Sequence, residues 1–297
     1  MKWEGVLPAI TTPFREDFSV DTEALRAHAA WMIDTGCAGV VALGSLGEGQ
    51  VLRLEEKLHV LRTCREALGD RAPVVAGVAA LSTAEAVELA RAAASVGCDG
   101  LMVLPPYVYI GDAAETEAHF RAVISATPLS CMLYNNPVAY GTDVGPELLG
   151  SLAAALPNLH AVKESSGDVR RITAITSALG AWLRVLVGLD DLVLEGVAMG
   201  AAGWIAGLVN ALPEESVRLF ELARSGRAEE ARRLYEWFLP LLRLDTVPKF
   251  VHLIKLVQAE VGRGPERVRP PRLPLAGPER QAALDRIRDC LTRRPGV

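Results

Sequence analysis

Eight short apolar runs recur along this chain, and each ends in a turn rich in glycine, proline or polar residues. They are Gly5–Ile10, Gly39–Leu43, Pro73–Val78, Leu101–Leu104, Leu129–Tyr134, Leu159–Lys163, Arg184–Val187 and Gly203–Ala206. Between neighbouring runs lies a helical segment or room for one, at a spacing of about 20–35 residues. The runs are continuous rather than alternating, as strands are when both faces of a parallel sheet are covered. Two architectures satisfy that repetition, a closed barrel and an open doubly wound sheet. No Gly-x-Gly-x-x-Gly follows the first run, and Gly44-x-x-Gly47-x-Gly49 does not have that spacing. The fold class read from the sequence is therefore α/β, a (β/α)8 TIM barrel with a C-terminal helical extension.

Local signals place the helices. Asp21 is positioned to cap a helix carrying Leu25, Ala29, Met32 and Ile33, which Gly36 stops. Leu54, Leu58 and Leu61 mark a second helix ending at Gly69, and Ser82 with Glu85 reads as a capping box. Beyond Pro213 the pattern is helical and strand-free, with segments Ser216–Arg224, Ala228–Leu239, Thr246–Val261 and Pro278–Leu291. Pro240 is expected to break the second of these, and Pro248 to lie in the first turn of the third. Residues 262–274, with four prolines, read as a surface loop. Residues 1–212 form the barrel core through strand eight; 213–297 supply the last barrel helix and the extension.

Composition narrows the function classes. At 297 residues, half hydrophobic and 23% charged, the chain can bury a large core. A net charge of −5 without runs of like charge argues against a nucleic-acid partner. The five cysteines are scattered, odd in number and never Cys-x-x-Cys, as expected for reduced, buried thiols. No signal peptide is visible, and the uncharged stretch from Gly196 to Val209 is too short to span a bilayer, which needs about 20 residues. A cytoplasmic protein without membrane contact is expected.

In such a barrel the site lies at the C-terminal ends of the strands. The polar residues expected there are Thr11, Thr12, Ser45, Glu48, Tyr107, Tyr134, Lys163, Asp190 and Asp191. Lys163 ends one apolar run and Tyr134 the run before it, so adjacent strands would bring them together over the barrel mouth. A lysine that forms an imine must be neutral to attack, and the carbinolamine must then lose water with a proton donor at hand. A tyrosine hydroxyl held by Ser45 and a second tyrosine suits that transfer, and the Gly44–Gly47 turn exposes N–H groups suited to a carboxylate. The bland alternatives are a lysine snorkelling to water, a packed tyrosine, and Asp190 with Asp191 capping the next helix. The five histidines do not cluster, and no spacing suggests a metal site.

Taken together, Gly5-x-x-x-Ala9 with Thr12-Pro13-Phe14, Gly44-Ser45-Leu46-Gly47-Glu48, Tyr134-Asn135-x-Pro137, Lys163-Glu164-Ser165-Ser166-Gly167-Asp168 and Gly203-x-Ile205 resemble the dihydrodipicolinate synthase / N-acetylneuraminate lyase family. The resemblance runs from Trp3 to about Arg293. It implies a Schiff-base lyase acting on a 2-oxo or 2-imino acid, with no metal or other cofactor, assembled as a homotetramer of tight dimers. By position, Lys163 matches the imine lysine, Tyr134 the proton-transfer tyrosine, Ser45 the relay hydroxyl, and Tyr107 the relay tyrosine reached across the dimer interface. Leu46 offers only its backbone N–H to the carboxylate, and Gly188 and Ile205 match pocket-lining residues. The synthase branch carries an arginine where this chain has Ala139, which argues against the synthase reaction. The runs Tyr134–Gly141, Leu244-Asp245-Thr246 and Pro271–Leu275 resemble instead the hydroxyproline-degradation branch, which implies deamination of 1-pyrroline-4-hydroxy-2-carboxylate. A 2-oxo-3-deoxy sugar acid aldolase or dehydratase, and a non-catalytic 2-oxo acid binding barrel, are the alternatives.

Overall fold

The computed structural model describes residues 1–180 and 182–296. Its eight strands are β1 (Gly5–Pro8), β2 (Val40–Ala42), β3 (Val74–Val78), β4 (Gly100–Val103), β5 (Ser130–Asn135), β6 (Leu159–Glu164), β7 (Arg184–Val187) and β8 (Gly203–Ala206). All pair in parallel, in the order β1-β8-β7-β6-β5-β4-β3-β2. A parallel bridge between Ala9 and Val41 joins the two ends of that order. There Ile10 N–H donates to Val41 O at 2.9 Å and Ala38 N–H to Val6 O at 2.8 Å. The closed ring leaves no sheet edge, and most strand residues are buried on both faces.

The barrel helices are α1 (Thr22–Asp34), α2 (Leu54–Leu68), α3 (Thr83–Ser95), α4 (Ala113–Ser125), the single turn α5 (Pro137–Tyr140), α6 (Pro146–Ala155), α7 (Val169–Leu179), α8 (Val193–Ala198) and α9 (Pro213–Arg224). Asp21 caps α1 by accepting from Ala24 N–H, and Ser82 caps α3 by accepting from Glu85 N–H. Helix α9 packs against α8 and β1 and so completes the outer ring. The extension consists of α10 (Ala228–Leu242), α11 (Phe250–Glu260) and α12 (Gly277–Thr292), with residues 262–276 running as an irregular strap against the segments that follow β1 and β2.

Two proline expectations are corrected. Helix α10 continues through Pro240 to Leu242. The missing N–H costs one bond near the helix end, and the complete burial of Leu241 and Leu242 beyond it outweighs that loss. Helix α11 begins at Phe250, so Pro248 precedes it rather than lying in its first turn. A proline disfavours helical backbone at the residue before it, here Val247, and Arg243–Asp245 form a separate 3-10 turn.

A buried ion pair fastens the strap to the barrel. Lys255 Nζ, on α11, lies 2.6 Å from Glu48 Oε1, and neither side chain is exposed beyond 1%. Lys255 also donates to Thr12 O and Arg267 O, while Glu48 Oε2 accepts from Arg269 N–H at 3.0 Å. Burial lowers the Lys255 pKa and the Glu48 carboxylate holds it back up. Thr12 Oγ1 donates to Gly47 O at 2.6 Å, so the end of β1, the β2 turn, α11 and the strap meet at one charge pair. Removing Lys255 leaves the buried Glu48 carboxylate with only the longer 3.4 Å contact to Arg272 as a cationic partner. Lys255→Met is therefore expected to lower unfolding free energy by about 3–5 kcal/mol in urea titration. The double variant Lys255→Met/Glu48→Gln should recover more than half of that loss; no recovery would show that the pair is not the source.

Candidate active site

Helical caps and strand ends set the site from below. Lys163 is the penultimate residue of β6, and its Cα pairs in register with Tyr134 of β5 on one side and Leu186 of β7 on the other. After β6 the chain turns at Gly167, whose φ is +85°, and Asp168 caps α7 by accepting from Arg170 N–H. Glu164 belongs to the strand end rather than to the helix. Its carboxylate accepts from Ser166 N–H at 2.6 Å and from Asn135 Nδ2 at 3.1 Å, and burial raises its pKa. It therefore braces the ends of β5 and β6, and Lys163 makes no salt bridge among the described residues.

The strand ends surround a cavity of about 500 Å³. Lys163, Tyr134, Ser45, Tyr107, Leu46, Gly188 and Ile205 all line it, whereas the strand-end residues Thr11, Thr12, Glu48, Asp190 and Asp191 do not. Lys163 is 7% exposed and its Nζ sits 4.0 Å from the centroid of the Tyr134 ring. Gly188 makes room for it: a Cβ at that position would lie 2.8 Å from Lys163 Cε and 1.9 Å from Ser165 Oγ. The N–H groups of Ser45 and Leu46 make no hydrogen bond among the described residues, leaving two donors at the cavity wall.

Ser45 meets two tyrosine hydroxyls, one of them a residue that the sequence reading had not singled out. Ser45 Oγ is 2.5 Å from Tyr140 Oη and 3.3 Å from Tyr107 Oη, all within one chain. Tyr140 stands between the other two tyrosines, edge-on to each with centroids 5.6 Å apart. Burial raises the pKa of both Tyr140 and Tyr107, so both hydroxyls keep their protons through neutral pH. Asn136 donates from Nδ2 to Tyr134 Oη at 3.1 Å and also caps α5, the turn that swings Tyr140 over the cavity. Tyr140 carried no role in the sequence reading; its signal was the Asn136–Pro137 helix start followed by Gly141, one turn long.

Other strand-end polar residues serve the frame. Thr11 and Thr12 bond to Gln258 and Gly47, and Glu48 is held by Lys255. Asp190 does not cap the following helix. Its buried carboxylate accepts from Trp204 Nε1, Gly207 N–H and Leu208 N–H, tying β7 to β8, and burial raises its pKa to about 6. Asp191 lies 3.8 Å from Arg243. The five cysteines are all buried and unpaired, and burial pushes the thiols of Cys37, Cys64, Cys98 and Cys131 up to about 12. No described helix is long and apolar enough to cross a membrane. Among the described residues, no group of three potential metal ligands converges.

The family model described as the dihydrodipicolinate synthetase family matches residues 2–289. The chain belongs to this family. It is an enzyme of the Schiff-base-forming lyase type that the family comprises. It is 34% identical over 281 residues to a 4-hydroxy-tetrahydrodipicolinate synthase of Moorella thermoacetica, covering 95% of each chain. It is 35% identical to one of Acidobacterium capsulatum, over 97% of this chain and 95% of that one. Among solved structures, dihydrodipicolinate synthase from Aquifex aeolicus superposes with a TM-score of 0.92 at 28% identity, covering 98% of both chains. The Acinetobacter baumannii synthase complexed with pyruvate gives 0.91 at 29% identity, over 97% of this chain and 99% of that one.

The crowding at Gly188 makes a direct prediction for this lyase. Gly188→Ala should displace the Lys163 side chain and slow borohydride-trapped adduct formation with pyruvate about 100-fold, the scale of a 1 Å misplacement. An unchanged trapping rate would show that Lys163 is not held by this contact.

Proposed function

We propose that Lys163 is the imine-forming nucleophile and that the substrate is 1-pyrroline-4-hydroxy-2-carboxylate, converted to 2,5-dioxopentanoate and ammonia. The observation that carries the reading is a lone lysine under a tyrosine ring, in a cavity whose remaining polar wall is mostly neutral hydroxyls and peptide N–H groups. The N–H groups of Ser45 and Leu46 take the substrate carboxylate, as an unfilled turn of peptide donors does. Gly188 and Ile205 shape the wall beside the imine carbon.

The chemistry follows from those positions. Neutral Lys163 attacks C2, and the ring C2–N bond breaks to leave an amine on C5. Loss of a C3 proton through Tyr134 gives an enamine, which expels the 4-hydroxyl as water. Loss of protons from C5 and its amine, with protonation at C3 and C4, then moves the unsaturation from C3=C4 to C5=N and turns the C5 amine into an imine. Two waters hydrolyse the imines at C2 and C5, freeing Lys163 and ammonia. Tyr134, Ser45, Tyr140 and Tyr107 form the proton path, a role suited to hydroxyls that burial keeps protonated.

Ala139 lines the cavity where a synthase-type reaction would need a cation for the carboxylate of its second substrate. Lys163 and Arg272 are the cationic side chains of the wall among the described residues, and Arg272 is drawn toward Glu48 at 3.4 Å. That favours one-substrate chemistry over the condensation after which the relatives are named.

Borohydride trapping against pyruvate, the hydroxylated pyrroline and a 2-oxo-3-deoxy sugar acid, read by mass with ammonia measured alongside, tests the proposal. Lys163→Ala should lose the adduct and all but a residual activity, several orders of magnitude below the parent. Tyr140→Phe should slow turnover about 10²–10⁴-fold while leaving the trapping site at Lys163. Turnover of the sugar acid alone, or formation of 4-hydroxy-tetrahydrodipicolinate, would replace the deaminase reading. Binding without any adduct would leave a non-catalytic barrel.

We also infer a cytoplasmic homotetramer built from dimers. Support comes from Val108 and Ile110, which are 88% and 62% exposed beside Tyr109, and from Val138 at 82%. Val108 also holds a φ of +71°, uncommon for a β-branched residue and costly unless its surroundings fix it. Sedimentation at micromolar concentration should give a tetramer, and Ile110→Lys should reduce its size; a monomeric parent would overturn the inference.

A further inference from the structure

Asp245 is the unexplained charge of the cavity. It ends the 3-10 turn between α10 and α11, and its carboxyl lines the same volume as Lys163. The carboxyl presses on Gly207, where a Cβ would come within 2.1 Å of Oδ1 and 2.8 Å of Oδ2, so only glycine permits the approach. The Gly207 N–H donates to Asp190 at 3.0 Å. One peptide therefore separates two carboxyl groups, and they are treated unequally. Asp190 accepts from three donors, whereas Asp245 has no hydrogen-bond partner among the described residues. A buried carboxylate with three donors keeps its charge at least cost, and an unpartnered neighbour takes the proton. Burial and the nearby Asp190 charge both raise the Asp245 pKa, and the Lys163 charge only partly offsets them.

We propose that Asp245 is the general acid that protonates the departing hydroxyl of the substrate, and so makes this cavity a site for 4-hydroxy-2-imino acids. The assignment rests on the dehydrating reading above and adds the proton donor that it lacks. In this step the enamine nitrogen lone pair forms the C2=N bond and the C2=C3 pair moves to C3=C4. The C4–O pair leaves with oxygen, which takes the Asp245 proton to depart as water and leaves Asp245 as a carboxylate. Hydroxide is a poor leaving group, and a hydroxyl two carbons from the imine cannot draw on the Ser45 chain while that chain serves C3. A neutral acid on the β8 side of the cavity supplies the second proton source.

The discriminating experiment varies the leaving group. Ammonia release is measured for the parent, Asp245→Asn and Asp245→Ala with 1-pyrroline-4-hydroxy-2-carboxylate and with its 4-chloro counterpart, whose chloride needs no proton. Both variants should lose about 10²–10³-fold in kcat on the hydroxyl substrate, the range for a lost general acid, yet less than tenfold on the chloro substrate. The pyruvate adduct trapped at Lys163 shows that each variant is folded. Equal losses on both substrates would make Asp245 a structural residue and overturn the assignment, as would no loss on either. A parent that releases no ammonia from the hydroxyl substrate fails at the first arm and overturns the deaminase reading together with its acid. Activity of the parent with unaffected variants overturns the acid alone.

Discussion

The buried pair of Glu48 and Lys255 joins parts of the chain that share no strand contact. Glu48 sits in a left-handed turn, with φ +56°, directly after the Gly44–Gly47 loop that carries Ser45. Lys255 arrives from a helix more than two hundred residues later and also grips the end of β1 and the strap. Desolvating two charges is expensive, and the pair persists because Lys255 Nζ and Glu48 Oε2 each have further partners. The consequence is geometric: the turn presenting Ser45 and Leu46 is tied to the strap through Glu48, Lys255 and Arg269. The C-terminal extension is thus part of the site's frame, although most of it touches no cavity residue.

Within that frame the cavity works with protons that burial keeps in place. Tyr140 and Tyr107 stay neutral because an anion there would be desolvated and would face the other phenols. The same cause operates at the acids between β7, β8 and α11, where Asp190 takes the three donors and burial, with the Asp190 charge, raises the pKa of Asp245. Lys163 lines the same cavity as those tyrosines and Asp245, with Tyr134 across its amine. A low-charge cavity of this kind suits reactions that make and break imines, since water is displaced and donors need not reorganise.

The eight strands, their parallel order and the meeting of Lys163 with Tyr134 were legible because continuous apolar runs and strand ends are local signals. So were Asp21, Ser82 and Gly69 at helix boundaries. Pro240 misled for a physical reason: propensity counts a lost N–H, whereas the packing of Leu241 and Leu242 is invisible to it. Asp190 misled similarly. An acid before a helix usually caps it, yet here Trp204 and the Gly207–Leu208 peptides, far along the chain, claim the carboxylate.

By itself the sequence determined a closed α/β repeat and put one lysine at a strand end of the barrel, since periodicity and strand-end chemistry depend on neighbours in the chain. Only the tertiary structure decided the remainder. It put Tyr140 rather than Tyr107 nearest to Ser45, brought Asp245 against Gly207, and tied the strap to the barrel through Glu48 and Lys255. Each of those depends on desolvation and distance between segments remote in sequence, and no local pattern encodes either quantity.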